Sequence, residues 1–324
     1  MKQIISLILL AALFTGCSAK QENYAQVYDR HVKTFAKHNH FKVHKIKRGT
    51  YTLNAREFGR AYKGKKPTIL LMHGFPDSQH LYDEVIPYLS RHRHVISFDY
   101  LGWGDSDKPE NHTYNNKSLI DDMDAVIDYF GLKHMVIVVH DASGPSGIDW
   151  SLAHPDKVHA LVLLNTYYYP MKSLVPPEAI ALFSTPGPKR DMTITVAKYS
   201  DHVWQSGMVD QLNKFMKNPE MREKYTKIFA HQALGIRPAF LGLNDVLNKE
   251  TLARVDSAKE VLGSFKKPVW IAFGAEDPYL NVGVAKAFHK LFTHSRLILI
   301  KNAAHYVQID KPKEVAKVIL EASK

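Results

Sequence analysis

MVIVVHDASG, residues 135–144, is the stretch that decides how this chain is read. An apolar, β-branched run ends at His140, two small residues follow Asp141, and a helical pattern then carries Ile148, Trp150 and Leu152. That order describes a strand turning sharply into a helix with Asp141 at the tip. Such an elbow lifts its central side chain above the end of a sheet, beside a helix N-terminus. An Asp in that place also serves as an ordinary N-cap, accepting backbone N–H bonds. The choice between the two rests on the rest of the chain.

With 324 residues and 45% hydrophobic content, the chain can bury a sizeable core, as one large domain or a core with an insertion. The net charge is +11, yet lysines and arginines are scattered among acids. No basic run is interleaved with stacking aromatics, so no nucleic-acid partner is expected; some attraction to anionic lipid headgroups is. At the N-terminus, Lys2 precedes an apolar run from Ile4 to Phe14, followed by Thr15-Gly16-Cys17. That run is too short to span a bilayer and matches a signal-peptide h-region. Phe14 to Cys17 resembles a bacterial lipoprotein signal, which implies lipidation of Cys17 and a lipid anchor in the bacterial cell envelope. Cleavage after Ala19, giving a periplasmic or secreted protein, is the alternative. Cys17 is the only cysteine, so no intrachain disulfide forms and a thiol nucleophile is excluded from the mature fold.

Residues 1–17 are thus set aside as a signal peptide and 18–40 as a polar tether. His31, His38, His40 and His44 fit no tight metal-ligand spacing. From Phe41 to Gly59 the pattern suggests an antiparallel hairpin around Arg48-Gly49. Strand candidates then alternate with helical patterns: Thr68–Met72, Val95–Phe98, Met135–Val139, Ala160–Leu164, Val269–Phe273 and Leu297–Ile300. The clearest helix places Leu119, Ile120, Met123, Val126, Ile127 and Phe130 on one face and stops at Gly131. This rhythm means an α/β protein with a mostly parallel sheet covered on both faces. Between Pro170 and Val261 no buried strand is found. A mostly helical cap over 170–261 is expected there, inserted into a core of 41–169 and 262–324.

Four loops fall at the C-terminal ends of strands, where open α/β sheets place their sites. They are His73-Gly74-Phe75-Pro76, the elbow at Asp141, Gly274-Ala275-Glu276-Asp277-Pro278, and Asn302-Ala303-Ala304-His305. Over residues 45–322 the chain resembles the α/β-hydrolase superfamily, in the order nucleophile, acid, base: Asp141, Asp277, His305. HGFP at 73–76, DYLGWGDSDKP at 99–109, HDASGP at 140–145, LVLLNTYYYP at 161–170 and HYVQIDKP at 305–312 resemble its Asp-nucleophile branch. That branch holds the epoxide hydrolases and haloalkane dehalogenases. Asp99 is read as a brace for the turn that follows it. Glu276 competes with Asp277, and Ser143 is a rival nucleophile that would make the protein a carboxyl-ester hydrolase.

A carboxylate is already anionic at neutral pH and displaces leaving groups at saturated carbon. The resemblance implies attack by Asp141 to form an alkyl–enzyme ester, then hydrolysis by water that His305 activates and Asp277 orients. The N–H groups of Phe75 and Ala142 would form the oxyanion hole. No metal or organic cofactor is required. The expected partners are a small apolar substrate and water, and the oligomeric state is not legible. Dehalogenases of this branch hold halide with N–H donors, and Trp204 in the cap is the candidate here. Epoxide hydrolases protonate the departing alkoxide with tyrosines, for which Tyr167, Tyr168, Tyr169, Tyr199 and Tyr225 are candidates. Epoxide hydrolysis is the leading expectation and dehalogenation the next. A non-catalytic envelope protein that binds ligand beneath the cap is the reading from a different class.

Overall fold

A computed structural model describes residues 24–324. The signal peptide, Cys17 and residues 18–23 lie outside the described residues. Eight strands form one sheet: β1 (Phe41–Arg48), β2 (Tyr51–Phe58), β3 (Thr68–Met72), β4 (Val95–Asp99), β5 (Met135–Asp141), β6 (Val158–Thr166), β7 (Val269–Gly274) and β8 (Ser295–Ile300). Their order is β1-β2-β4-β3-β5-β6-β7-β8. β1 and β2 are the expected hairpin, with Arg48 opposite Tyr51 and Gly49 turning at φ +60°. From β4 through β8 all neighbours run parallel.

Alternate residues of the central strands enter two separate cores, one on each face. Leu70, Met72, Ile137, Leu161 and Leu163 belong to one, and Ile69, Leu71, Val136, Val138 and Val162 to the other. This period of two in a fully buried sheet explains why those strands read as unbroken apolar runs. The chain leaves β3 for β4 on one side and returns to β5 on the other. The C-terminal ends of β3 and β5 therefore open a crevice where the connection reverses.

Helices cover both faces: α1 (Tyr24–His38), α2 (Ile86–Leu89), α3 (Asn116–Phe130) and α4 (Ser143–Ala153), then α5 (Glu178–Ser184), α6 (Pro188–Tyr199), α7 (Asp201–Asn213), α8 (Pro219–Gln232), α9 (Arg237–Leu252) and α10 (Ala258–Ser264) between β6 and β7. After β7 come α11 (Val282–Leu291), α12 (Val307–Asp310) and α13 (Pro312–Ala322). α3 is capped as its sequence implies, by Asn115 accepting from the Ser118 N–H and by Gly131 at φ +61°. α5 to α9 lie over the crevice, with no strand among the described residues there.

One stretch differs from expectation. The described part of the polar tether is a helix, α1, docked on α8 of the cap with His31 and Phe35 buried. Asp83 explains it. Its Oδ1 accepts from Arg56 Nη2 at 2.7 Å, while its Oδ2 accepts from His31 at 2.8 Å and His80 at 2.7 Å. His31, His80 and Asp83 are the one group among the described residues whose ligand atoms cluster as a metal site would. Ligand atoms around a tetrahedral zinc lie about 3.3 Å apart, given bonds of about 2.0–2.1 Å. The observed spacings are those of hydrogen bonds, and the Arg56 guanidinium already balances the carboxylate.

Candidate active site

Asp141 sits at φ +49°, a left-handed conformation that side chains rarely adopt. Two glycines make the elbow possible. A Cβ on Gly74 would lie 2.5 Å from the Cβ of Asp141, and a Cβ on Gly144 would collide with the Thr166 hydroxyl. The Asp141 Oδ1 accepts a hydrogen bond from the Phe75 N–H at 3.2 Å, and the Ala142 N–H also favours the charged carboxylate. Its Oδ2 faces His305 Nε2 at 3.6 Å. Burial nonetheless pushes the Asp141 carboxyl up to about 6.

His305 follows β8 and is buried, its ring 4.7 Å from both Phe215 and His140. Its Nδ1 donates to Asp277 Oδ2 at 2.9 Å, which leaves Nε2 as the acceptor turned toward Asp141. Burial opposes charging of the imidazole. The Asp277 and Asp141 carboxylates outweigh it and hold the pKa above the ordinary histidine value. For Asp277, burial is likewise overcome, by His305, the Tyr279 N–H and the Asn165 amide, so its carboxyl stays below the usual range. Glu276, the competing acid, points to the surface and pairs with Lys217.

The structure thus brings Asp141, Asp277, His305, Phe75 and Ala142 together. Ser143 is turned away. It is 1% exposed, and its hydroxyl is engaged with His140 N, His140 O and Met72 O. It belongs to the packing beneath the elbow, which removes the ester-hydrolase reading built on it. Asp99 braces the next turn, accepting from the N–H groups of Gln79 and Asp105.

The leaving-group candidates divide. Tyr167 lines a cavity of about 240 Å³ above Asp141, and its hydroxyl has no partner among the described residues. Burial, and then the Asp141 charge, push its pKa up. Tyr169 lines the same cavity. Tyr199 is 87% exposed at the cap surface, outside the cavity. Tyr225 donates to Glu84, Tyr168 to Asp149, and the Trp204 indole to the Ala233 carbonyl. Those three are structural because their polar atoms are already engaged.

Three neighbours of the site were not singled out from sequence. Asn165, at the end of β6, donates to the same Asp277 oxygen that receives His305, at 2.9 Å. Asp77 is buried beneath His305 and His140, and burial raises its carboxyl pKa. Its place right after the HGFP loop was the available signal. Gln211 of α7 lines the cavity, 8% exposed, with no side-chain partner among the described residues. Nothing local marks it, since only the packing of the cap aims it there.

A family model described as the alpha/beta hydrolase fold matches residues 67–312. Haloalkane dehalogenase 2 of Mycobacterium tuberculosis (strain ATCC 25618 / H37Rv) is 25% identical over 268 residues, covering 80% of this chain and 88% of that protein. Bifunctional epoxide hydrolase 2 of Sus scrofa is 23% identical, covering 80% of this chain and 51% of that protein. The solved structure of 2-hydroxy-6-oxo-6-phenylhexa-2,4-dienoate hydrolase from Rhodococcus sp. strain RHA1 is similar in fold, with a TM-score of 0.73 at 16% identity over 88% of this chain and 99% of that one. The family match runs from just before β3 to the start of α13, taking in every loop that contributes to the site, and the chain belongs to the alpha/beta hydrolase fold family as a hydrolase enzyme.

Proposed function

We propose that this hydrolase uses Asp141 as a nucleophile toward a small, neutral, largely apolar epoxide. The supporting observation is the division of labour within one carboxylate. Oδ1 rests on the Phe75 N–H, while Oδ2 is free toward the cavity and His305. Attack by Oδ2 on a ring carbon breaks the C–O bond, and the departing oxygen takes the Tyr167 hydroxyl proton. Oδ1, now the carbonyl oxygen of an ester, is already in the hole that will hold it as an oxyanion. His305 Nε2 removes a proton from water, the hydroxide adds to the Asp141 carboxyl carbon, and the ester releases the diol. His305 releases the proton it took from water to solvent, and Tyr167 regains its own from there.

Incubating His305→Gln with epoxide and haloalkane panels should leave the ester in place. Intact mass then reports the chemistry, since an opened epoxide adds the whole molecule and a cleaved halide adds only the alkyl group. Absence of any adduct on Asp141 overturns the reading. Tyr167→Phe should slow adduct formation with epoxides by about 100-fold and leave haloalkanes unaffected. The dehalogenase reading keeps one supporting observation, the unpartnered Gln211 amide, which offers a halide an N–H donor where Trp204 does not. Cys17 is proposed as the lipidated residue that anchors the protein in the bacterial cell envelope, to be read as acyl mass on the mature N-terminus.

A further inference from the structure

Five large apolar side chains stand exposed in one part of the cap: Met192 at 66%, Val196 at 44%, Tyr199 at 87%, Val203 at 42% and Leu234 at 38%. Single exposed apolar residues are ordinary; this arrangement is not. At about 100° per residue, Met192, Val196 and Tyr199 lie on one stripe of α6, about 180° from Arg190, Ile194 and Ala197, which face inward. Among the described residues, nothing covers this second apolar face of the helix.

Contacts gather these residues at one corner. Tyr199 ends α6, Val203 lies in the first turn of α7, and Leu234 follows α8. Trp204 donates to the Ala233 carbonyl and Gln205 to that of Ala230, joining the start of α7 to the end of α8. Arg237 donates to the Lys198 carbonyl and pairs with Asp201, closing α6 onto α9. The N-terminal helix leads to the same corner. Along α1, His31 lies against Tyr225, while Tyr28, one turn earlier, stacks 4.6 Å from His231 at the end of α8. Tyr24 therefore lies at the corner end. Cys17 is seven residues before it, a reach of at most about 25 Å.

We propose that this corner of the cap, centred on Tyr199, docks on the anionic lipid surface to which Cys17 tethers the chain. A stripe of Met, Val and Tyr flanked by cations suits the headgroup boundary. Lys189 and Lys198 are exposed beside it and make no ion pair among the described residues, whereas the neighbouring Asp191 and Asp201 carboxylates lie against Arg190 and Arg237. The tether keeps the patch at high effective concentration above the bilayer, so a small apolar area is enough to hold it. α7 runs from this corner to the cavity wall, where it contributes Met208 and Gln211.

The test uses the mature protein in vesicles of phosphatidylethanolamine and phosphatidylglycerol with brominated acyl chains. Tryptophan is placed at the corner in Tyr199→Trp. The control is Leu252→Trp, an exposed apolar position about 22 Å along α9 from Arg237. Emission from Tyr199→Trp should be quenched about twofold beyond that of the wild-type protein, and Leu252→Trp should match wild type. Replacing phosphatidylglycerol by phosphatidylcholine should reduce the quenching. Equal quenching at both positions, none at 199, or lipid-independent shielding of 199 that grows with protein concentration, as a second copy would cause, overturns the proposal. Intact mass of the same sample reads acylation of Cys17 separately: quenching is judged on the acylated protein, and a mature protein whose Cys17 carries no acyl group overturns the tethered docking on its own.

Discussion

Asp141 is held in a state the fold disfavours. Its carboxyl titrates near 3.8 in an unfolded chain and at about 6 in the folded one. The folded state therefore carries the full penalty of ionisation above about pH 6, loses it as pH falls toward 3.8, and carries none below. Asp141→Asn keeps the acceptor for Phe75 and removes the charge. It should raise stability by about 1–3 kcal/mol at pH 8 and by nothing at pH 4, as read by urea unfolding. A gain that does not vary with pH would reject burial as the cause. The same titration predicts that ester formation rises with pH through about 6, and that in His305→Gln this midpoint moves up, because the imidazolium that favoured the carboxylate is gone. Asp141, Asp277 and His305 were legible because each ends a strand within a few residues of its own sequence signal. Trp204 and Tyr225 were misread because a polar atom's partner, here a carbonyl of Ala233 and a carboxylate of Glu84, is set by packing and leaves no local trace.

Among the elements, α1 shows the same gap at larger scale. Its polar sequence reads as solvated, and only His31 and Phe35 are buried. What holds it is remote: Asp83 and His80 on the core, Tyr225 and His231 on the cap. Asp83→Ala leaves the buried Arg56 without its counterion and should cost about 3–5 kcal/mol. Hydrogen exchange in α1 and α8 should accelerate together, because the two helices share these contacts. Unchanged exchange in α1 would show that its docking depends on something else. The strands, by contrast, were read to within two residues at either end. A run buried on both faces is mostly apolar, so its middle is written in composition, while buried polar ends such as His140, Asn165 and Thr166 are not.

For the whole molecule, the cavity beneath the cap decides what can enter. Among the described residues, Asp141 and His305 are the only carboxyl or basic side chains that line it, and the remainder is apolar, aromatic, amide or hydroxyl. A substrate carrying a carboxylate would lose its hydration and meet no lysine or arginine in exchange, with the Asp141 carboxylate opposing it. Its kcat/KM should fall at least about 100-fold below that of the neutral ester of the same length, an effect of about 3 kcal/mol. Equal rates would mean that the anion finds a cation not on the cavity wall. That a helical insert would cover the sheet was evident from the missing strands. Which of its faces would line the cavity was not, since α6 and α7 carry apolar residues on more than one side.

Asn165 stands where the lid is rooted. It lies two residues before Tyr167, where the chain leaves the sheet, and its amide grips Asp277, the Leu280 carbonyl and the Gly274 N–H. A pull on the root of the lid is thus a pull on the acid that steers the imidazole. Admission of a guest and the readiness of the base are geared through one short amide, so a lid seated askew would idle the machinery even with every reacting group intact.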